Sequence, residues 1–116
     1  MTNPTEEIAA ENLTFLISEV SKARLTVIVT DGKEDNVALA EKLVEVLPAT
    51  LVENYSGVQE GNLVVVPSLT SYLETDASLI LKLDASKTTP VVKVTKNRSG
   101  KLGELPVHFA SSTVQS

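Results

Sequence analysis

Residues 24–47 read RLTVIVTDGKEDNVALAEKLVEVL, and how this stretch is read decides the fold. Leu25, Val27, Ile28 and Val29 form a short apolar run rich in β-branched residues, which suits a strand covered on both faces, as in a parallel sheet. Asp31-Gly32 ends the run. From Glu34 onward apolar residues recur at Val37, Ala40, Leu43, Val44 and Leu47, a helical spacing that leaves Glu41, Lys42 and Glu45 on the remaining surface. The stretch is therefore half of a βαβ unit.

Working outward, Asn3-Pro4-Thr5-Glu6 is a helix start, with Asn3 as N-cap, Pro4 at the first helical position and Glu6 closing a capping-box-like arrangement. A helix is predicted to about Lys22, its apolar residues Ile8, Ala9, Leu13, Leu16, Ile17 and Val20 on one side. Such a stripe must cover a sheet face or pair with a second subunit, because leaving it in water is costly. Packing within the molecule is the preferred reading.

Beyond the central unit, Pro48 ends the helix and TLVENY (50–55) gives a short second strand, placed at an edge and paired loosely or antiparallel. NLVVVP (62–67) carries the cleanest buried-strand pattern in the chain. Residues 68–88 admit two readings. Leu69, Leu73, Ala77, Ile80 and Leu83 fit a helix, whereas Leu79, Leu81 and Leu83 alternate with Lys82 and Asp84 as in a strand. The helix is preferred, because PVVKV (90–94) then completes a second strand-helix-strand unit of normal length. On this reading 25–30, 63–66 and 91–94 run side by side in one direction. LPVHFA (105–110) adds a last edge strand, and residues 111–116 form a frayed tail.

The expected architecture is thus a single α/β domain over residues 1–116. It is a small three-layer, Rossmann-like or flavodoxin-like sandwich with a mostly parallel sheet of four or five strands, an N-terminal helix over 1–23 and a core over 24–110. A chain of 116 residues can bury a core without staples. There is no cysteine and one histidine, His108, which excludes disulfides and a multi-histidine metal site. No apolar run approaches the ~20 residues that cross a bilayer, and the first residues lack the features of a signal peptide, so a cytoplasmic protein with no membrane attachment is expected.

The net charge of −5 is unevenly spread. Residues 1–86 carry 14 acidic and 5 basic side chains, and residues 87–116 carry 1 acidic and 5 basic. Lys93, Lys96, Arg98 and Lys101 are the candidate anion contacts of this basic end. The acidic balance of the whole and the presence of only two Tyr and two Phe argue against nucleic acid as the partner.

In open parallel sheets ligands bind at the carboxyl ends of the strands, where the strand order reverses. Two loops qualify. Thr30, Asp31, Gly32 and Lys33 offer a hydroxyl, a close backbone approach, a cation and a helix N-terminus suited to phosphate. Ser68, Thr70 and Ser71 follow the next buried strand with a hydroxyl-rich turn. Together they outline a crevice for a phosphate or flavin-type ligand. A purely structural reading stands beside it, with Asp31 as N-cap and Glu34 closing a capping box.

VIVTDGKEDNVAL resembles the first motif of toprim domains, in which a strand ends in a Glu-Gly pair followed by acidic residues and a helix. Asp31 stands where that family has glutamate. The resemblance implies magnesium-dependent nicking or primase chemistry only with a downstream Asp-x-Asp, and VVVPSLTS stands there instead. NLVVVPSLTSYLETDASLILKLDASKTTPVVKV is similar in cadence to the small flavoprotein decarboxylases, whose glycine-serine flavin loop and catalytic histidine have no counterpart at 30–33 or at His108. Membership of neither family is assigned.

A nucleophilic serine would need a base, and His108 sits in an edge-strand pattern. Asp31, Glu34 and Asp35, which could share a magnesium ion, also suit a helix N-terminus. No cofactor is expected. The leading expectation is a non-enzymatic protein-interaction or assembly module, meeting a protein partner or a second copy of itself. The alternative is a small-ligand binder using loops 30–33 and 68–71.

Overall fold

The computed structural model describes residues 4–53, 61–86, 89–98 and 100–107, with the side chains of residues 4–9 left aside. The chain runs α1 (Pro4–Lys22), β1 (Leu25–Val29), α2 (Glu34–Val46), β2 (Thr50–Leu51), β3 (Asn62–Val66), α3 (Ser71–Asp76), β4 (Leu79–Asp84), β5 (Val91–Asn97) and β6 (Gly103–Pro106). The strands form one mixed sheet in the order β2-β3-β1-β4-β5-β6. The β2–β3, β3–β1 and β1–β4 pairs are parallel. The β4–β5 and β5–β6 pairs are antiparallel.

All five residues of β1 are buried, because helices cover both of its faces. Ile28 joins Leu16 and Val20 of α1 and Leu39, Ala40 and Leu43 of α2 in one cluster, completed by Leu79, Leu81, Leu83, Val92 and Val94 of the sheet. Leu25, Val27 and Val29 point the other way, onto Leu73 of α3, with Ala77, Val64 and Ile80. The alternation of side chains along a strand produces this division. No described helix is long and apolar enough to cross a membrane.

α1 covers the sheet, as its apolar stripe requires, with Leu16 and Val20 fully buried. Polar contacts fix its position. Asn12 donates to the Pro106 carbonyl at 2.8 Å, and the buried Glu19 accepts from Asn97 at 2.9 Å and pairs with Lys22 at 3.3 Å. The expected N-cap Asn3 lies outside the described residues, as do Asn54 and Tyr55 of the second predicted strand, His108 to Ala110 of the last, and the tail 111–116.

Three expectations need correction. Residues 79–84 form a strand, not the second half of a helix, and lie between β1 and β5. Only Ser71–Asp76 remains helical in the stretch 68–88. The connection from Asp84 to Val91 is then too short for a parallel crossover, so the chain turns back and β5 runs antiparallel to β4. Among the described residues the sheet accordingly has six strands rather than four or five, and to the parallel part, β2, β3, β1 and β4, it adds the antiparallel pairs of β5 and β6. β2 is a short edge strand, as expected, and of the two pairings expected for it, loose or antiparallel, the antiparallel one is not formed, since Thr50 and Leu51 pair parallel with Asn62 and Leu63 of β3.

Among the described residues one buried side-chain polar atom has no hydrogen-bond partner. It is the hydroxyl oxygen of Thr26 in β1, a residue 1% exposed. A buried, unpaired hydroxyl lowers stability, and a methyl of similar shape removes that penalty. Thr26→Val is therefore expected to stabilise the fold by about 1 kcal/mol, seen as a higher urea midpoint at unchanged slope.

Candidate functional site

The exit of β1 is built from backbone bonds made by Thr30. Its N–H donates to the Val66 carbonyl at 2.9 Å, its hydroxyl accepts from the Gly32 N–H at 3.2 Å, and its carbonyl accepts from the Lys33 N–H at 3.3 Å. Asp31 and Gly32, the two central residues of this turn, have φ of 60° and 73°. That pair of positive angles is the signature of a type I′ turn. Gly32 is required by its backbone angle and not by crowding, since a Cβ there would lie an ordinary 3.9 Å from the Pro67 Cβ. Asp31 holds the same left-handed region, which aspartate tolerates better than most residues.

The N-cap of α2 is Lys33, with no side-chain cap bond. The capping box expected of Asp31 and Glu34 is therefore not formed, because the turn places Asp31 two residues too early. The α2 residue that ties the exits together is Asn36. It is buried, donates to the Thr30 carbonyl at 2.9 Å and accepts from the Ala85 N–H at 2.8 Å. The first turn of α2 is thus bonded to the chain leaving β1 and to the chain leaving β4.

Loops 30–33 and 68–71 follow neighbouring parallel strands whose ends, Val29 and Val66, are register partners. Thr70 is the N-cap of α3, its hydroxyl accepting from the Leu73 N–H at 3.2 Å, while Ser71 gives its carbonyl to Thr75 and Ser68 is exposed. The crevice lies on the opposite side of β1, between the exits of β1 and β4. The connections that diverge to opposite sheet faces, β1 to α2 and β3 to α3, leave on the other side of β1, whereas β4 exits into the hairpin to β5. The crevice holds about 200 Å³ and is lined by Asp31, Lys33 and Asn36 from the β1 side and by Lys82, Leu83, Asp84, Ser86 and Lys93 from β4 and β5.

Comparison with family models, curated proteins and solved structures finds no match. The reading of the crevice consequently rests on its own chemistry.

Register explains why its lysines gather. Val29 pairs with Lys82, Lys82 with Lys93, and Lys93 with Glu104, so one row crosses the sheet on a single face. Lys82 follows Ile80 on the face that α3 covers, but it is exposed. It stands directly opposite Lys93, an arrangement of like charges that costs roughly 0.2–1 kcal/mol. Among the described residues, Lys33, Lys82 and Lys93 have no ion-pair or hydrogen-bond partner. Asp84, by contrast, accepts from the N–H and hydroxyl of Ser86.

The four basic residues of the 93–101 stretch go to different places. Lys93 lines the crevice. Lys96 donates to the carbonyls of Glu74 and Thr75, and Arg98 donates to that of Thr75, so both satisfy the C-terminal end of α3. Lys101 is exposed, and its carbonyl accepts from Asn97. Asp31, Glu34 and Asp35 do not converge, and no group of three metal-ligating side chains occurs among the described residues.

Lys82, Asp84, Ser86 and Asn36 escaped sequence reasoning. The signal for two of them was present, because strand alternation across LILKLD puts Lys82 and Asp84 on one face opposite three leucines.

Proposed function

We propose that the protein is a binding domain for a small anion of the phosphate class, held between the exits of β1 and β4. The observation that carries this reading is the convergence of the partnerless Lys33, Lys82 and Lys93 on one crevice. Like charges placed together without a counter-ion weaken a fold, and an oxyanion accepting from all three turns the same arrangement into a favourable one. On this reading the parallel strands β2, β3, β1 and β4 act as a Rossmann-like sheet whose ligand sits at the carboxyl ends of two neighbouring strands, β1 and β4. The antiparallel strand β5 supplies Lys93, which a wholly parallel sheet would not have placed there.

Inorganic phosphate is expected to raise the melting temperature saturably, with about 2.7 kcal/mol of stabilisation at a hundredfold excess over the dissociation constant. Lys82→Glu should abolish the saturable part and leave only the gradual stabilisation common to excluded salts. The same substitution should leave the ligand-free protein as stable as before, or slightly more so, because it replaces a cross-strand repulsion by an attraction. An identical phosphate response in Lys82→Glu would refute the assignment.

A second reading, as a protein-interaction or assembly module, is favoured by a different surface. Val37, Val46 and Leu51 are exposed, and Val37 and Leu51 help to line an apolar groove of about 300 Å³ between α2 and the edge strand β2. Sedimentation that finds only monomer, together with co-purification that finds no partner, would count against it.

A further inference from the structure

Both signs of charge line the crevice, with Lys33 beside the carboxylates at its mouth. Lys82 stands level with Val29, its register partner. Asp84 lies two residues beyond Lys82, and Asp31 two residues beyond Val29, so both carboxylates stand at the strand exits while Lys82 and Lys93 stand further down the sheet. Asp31 is exposed and, among the described residues, has no hydrogen-bond or ion-pair partner. It holds the first central position of the type I′ turn, at φ 60°, where aspartate before glycine is a favoured residue.

Resting on the anion-binding reading above, we infer that the ligand is a small zwitterion, an aminoalkyl phosphate whose ammonium group meets Asp31 at the crevice mouth. Among the described residues, three lysines and two aspartates give the lining a net charge of +1. A phosphate monoester carries roughly −1.5 to −2 at neutral pH, and an added ammonium brings the ligand close to the complementary value. A bare phosphate ester would leave the Asp31 carboxylate facing it unpaired. The volume of about 200 Å³ equals roughly seven water molecules at liquid density, room for a phosphate and a short amine. Among the described residues Leu83 is the one apolar side chain in this lining, and none is an aromatic platform for a base.

The test compares O-phosphoethanolamine, ethyl phosphate and inorganic phosphate by isothermal titration at low ionic strength. O-phosphoethanolamine is expected to bind at least about tenfold more tightly than ethyl phosphate, the scale of one added charge-assisted hydrogen bond. Asp31→Asn should bring the two ligands to equal affinity while retaining ethyl phosphate binding. Asparagine also tolerates the left-handed backbone, so an unchanged melting temperature will show that the turn survives. Equal affinity for both ligands in the unmodified protein would overturn the inference and leave anion binding standing, as would a preference that persists in Asp31→Asn. Failure of all three compounds to bind would overturn the anion-binding reading itself.

Discussion

Replacing Asn36 by alanine is expected to destabilise the fold by roughly 2–4 kcal/mol, because it removes both hydrogen bonds that a buried amide makes at the two strand exits framing the crevice. Asn36 is 3% exposed, and its amide joins the Thr30 carbonyl to the Ala85 N–H. The Thr30 carbonyl keeps the Lys33 N–H as a donor, so the larger loss falls on Ala85. Asn36→Leu, which fills the space but supplies neither donor nor acceptor, should be destabilising by a comparable amount. That comparison separates lost hydrogen bonds from a cavity. Urea denaturation measures the energy, and hydrogen exchange at the Ala85 amide should accelerate in both variants. A near-neutral Asn36→Leu would mean that packing, not the amide, joins the two exits.

Asn36 also shows why the inner face of α2 was only partly legible. The apolar spacing placed Val37, Ala40, Leu43, Val44 and Leu47 on that face. The buried α2 residues are Asn36, Leu39, Ala40 and Leu43, and Val37 is 41% exposed. The stripe is rotated because its first member is a polar residue, buried for its hydrogen bonds. Hydrophobic periodicity does not register a side chain of that kind. The existence of α1, β1, α2 and β3 was legible because each has a long periodic or continuous apolar pattern, whereas α3 has only six residues and a single leucine, Leu73, too few to show a period.

The crevice was half legible for the same reason. The rule that ligands gather at strand exits pointed to Thr30, Asp31, Gly32 and Lys33, and Asp31 and Lys33 do line the crevice. Its other wall was sought after β3, at Ser68, Thr70 and Ser71. That wall instead comes from β4 and β5, because β4, which the sequence reading took as helix, lies beside β1. Reading 77–86 as helix therefore changed both the direction of β5 and the identity of the lining lysines. One local ambiguity propagated into the topology and then into the site.

That ambiguity has a decisive substitution. Leu81→Ala is expected to cost roughly 2–5 kcal/mol, the range for truncating a large buried side chain. Leu81 is 0% exposed, lies in the central strand β4 and packs in the cluster shared by α1 and α2. The helical reading of 68–88 used Leu69, Leu73, Ala77, Ile80 and Leu83 as its inner face, which leaves Leu81 off that face and tolerant of alanine. Lys82→Ala is the neighbouring control. In β4 it removes one member of the opposed Lys82–Lys93 pair and should leave stability unchanged or slightly raised. Chemical denaturation of the two variants therefore reads strand alternation directly, with a large loss at Leu81 and none one residue later. A Leu81→Ala loss under about 1 kcal/mol, the size of an ordinary substitution, would remove β4 from the sheet and Lys82 from the crevice with it.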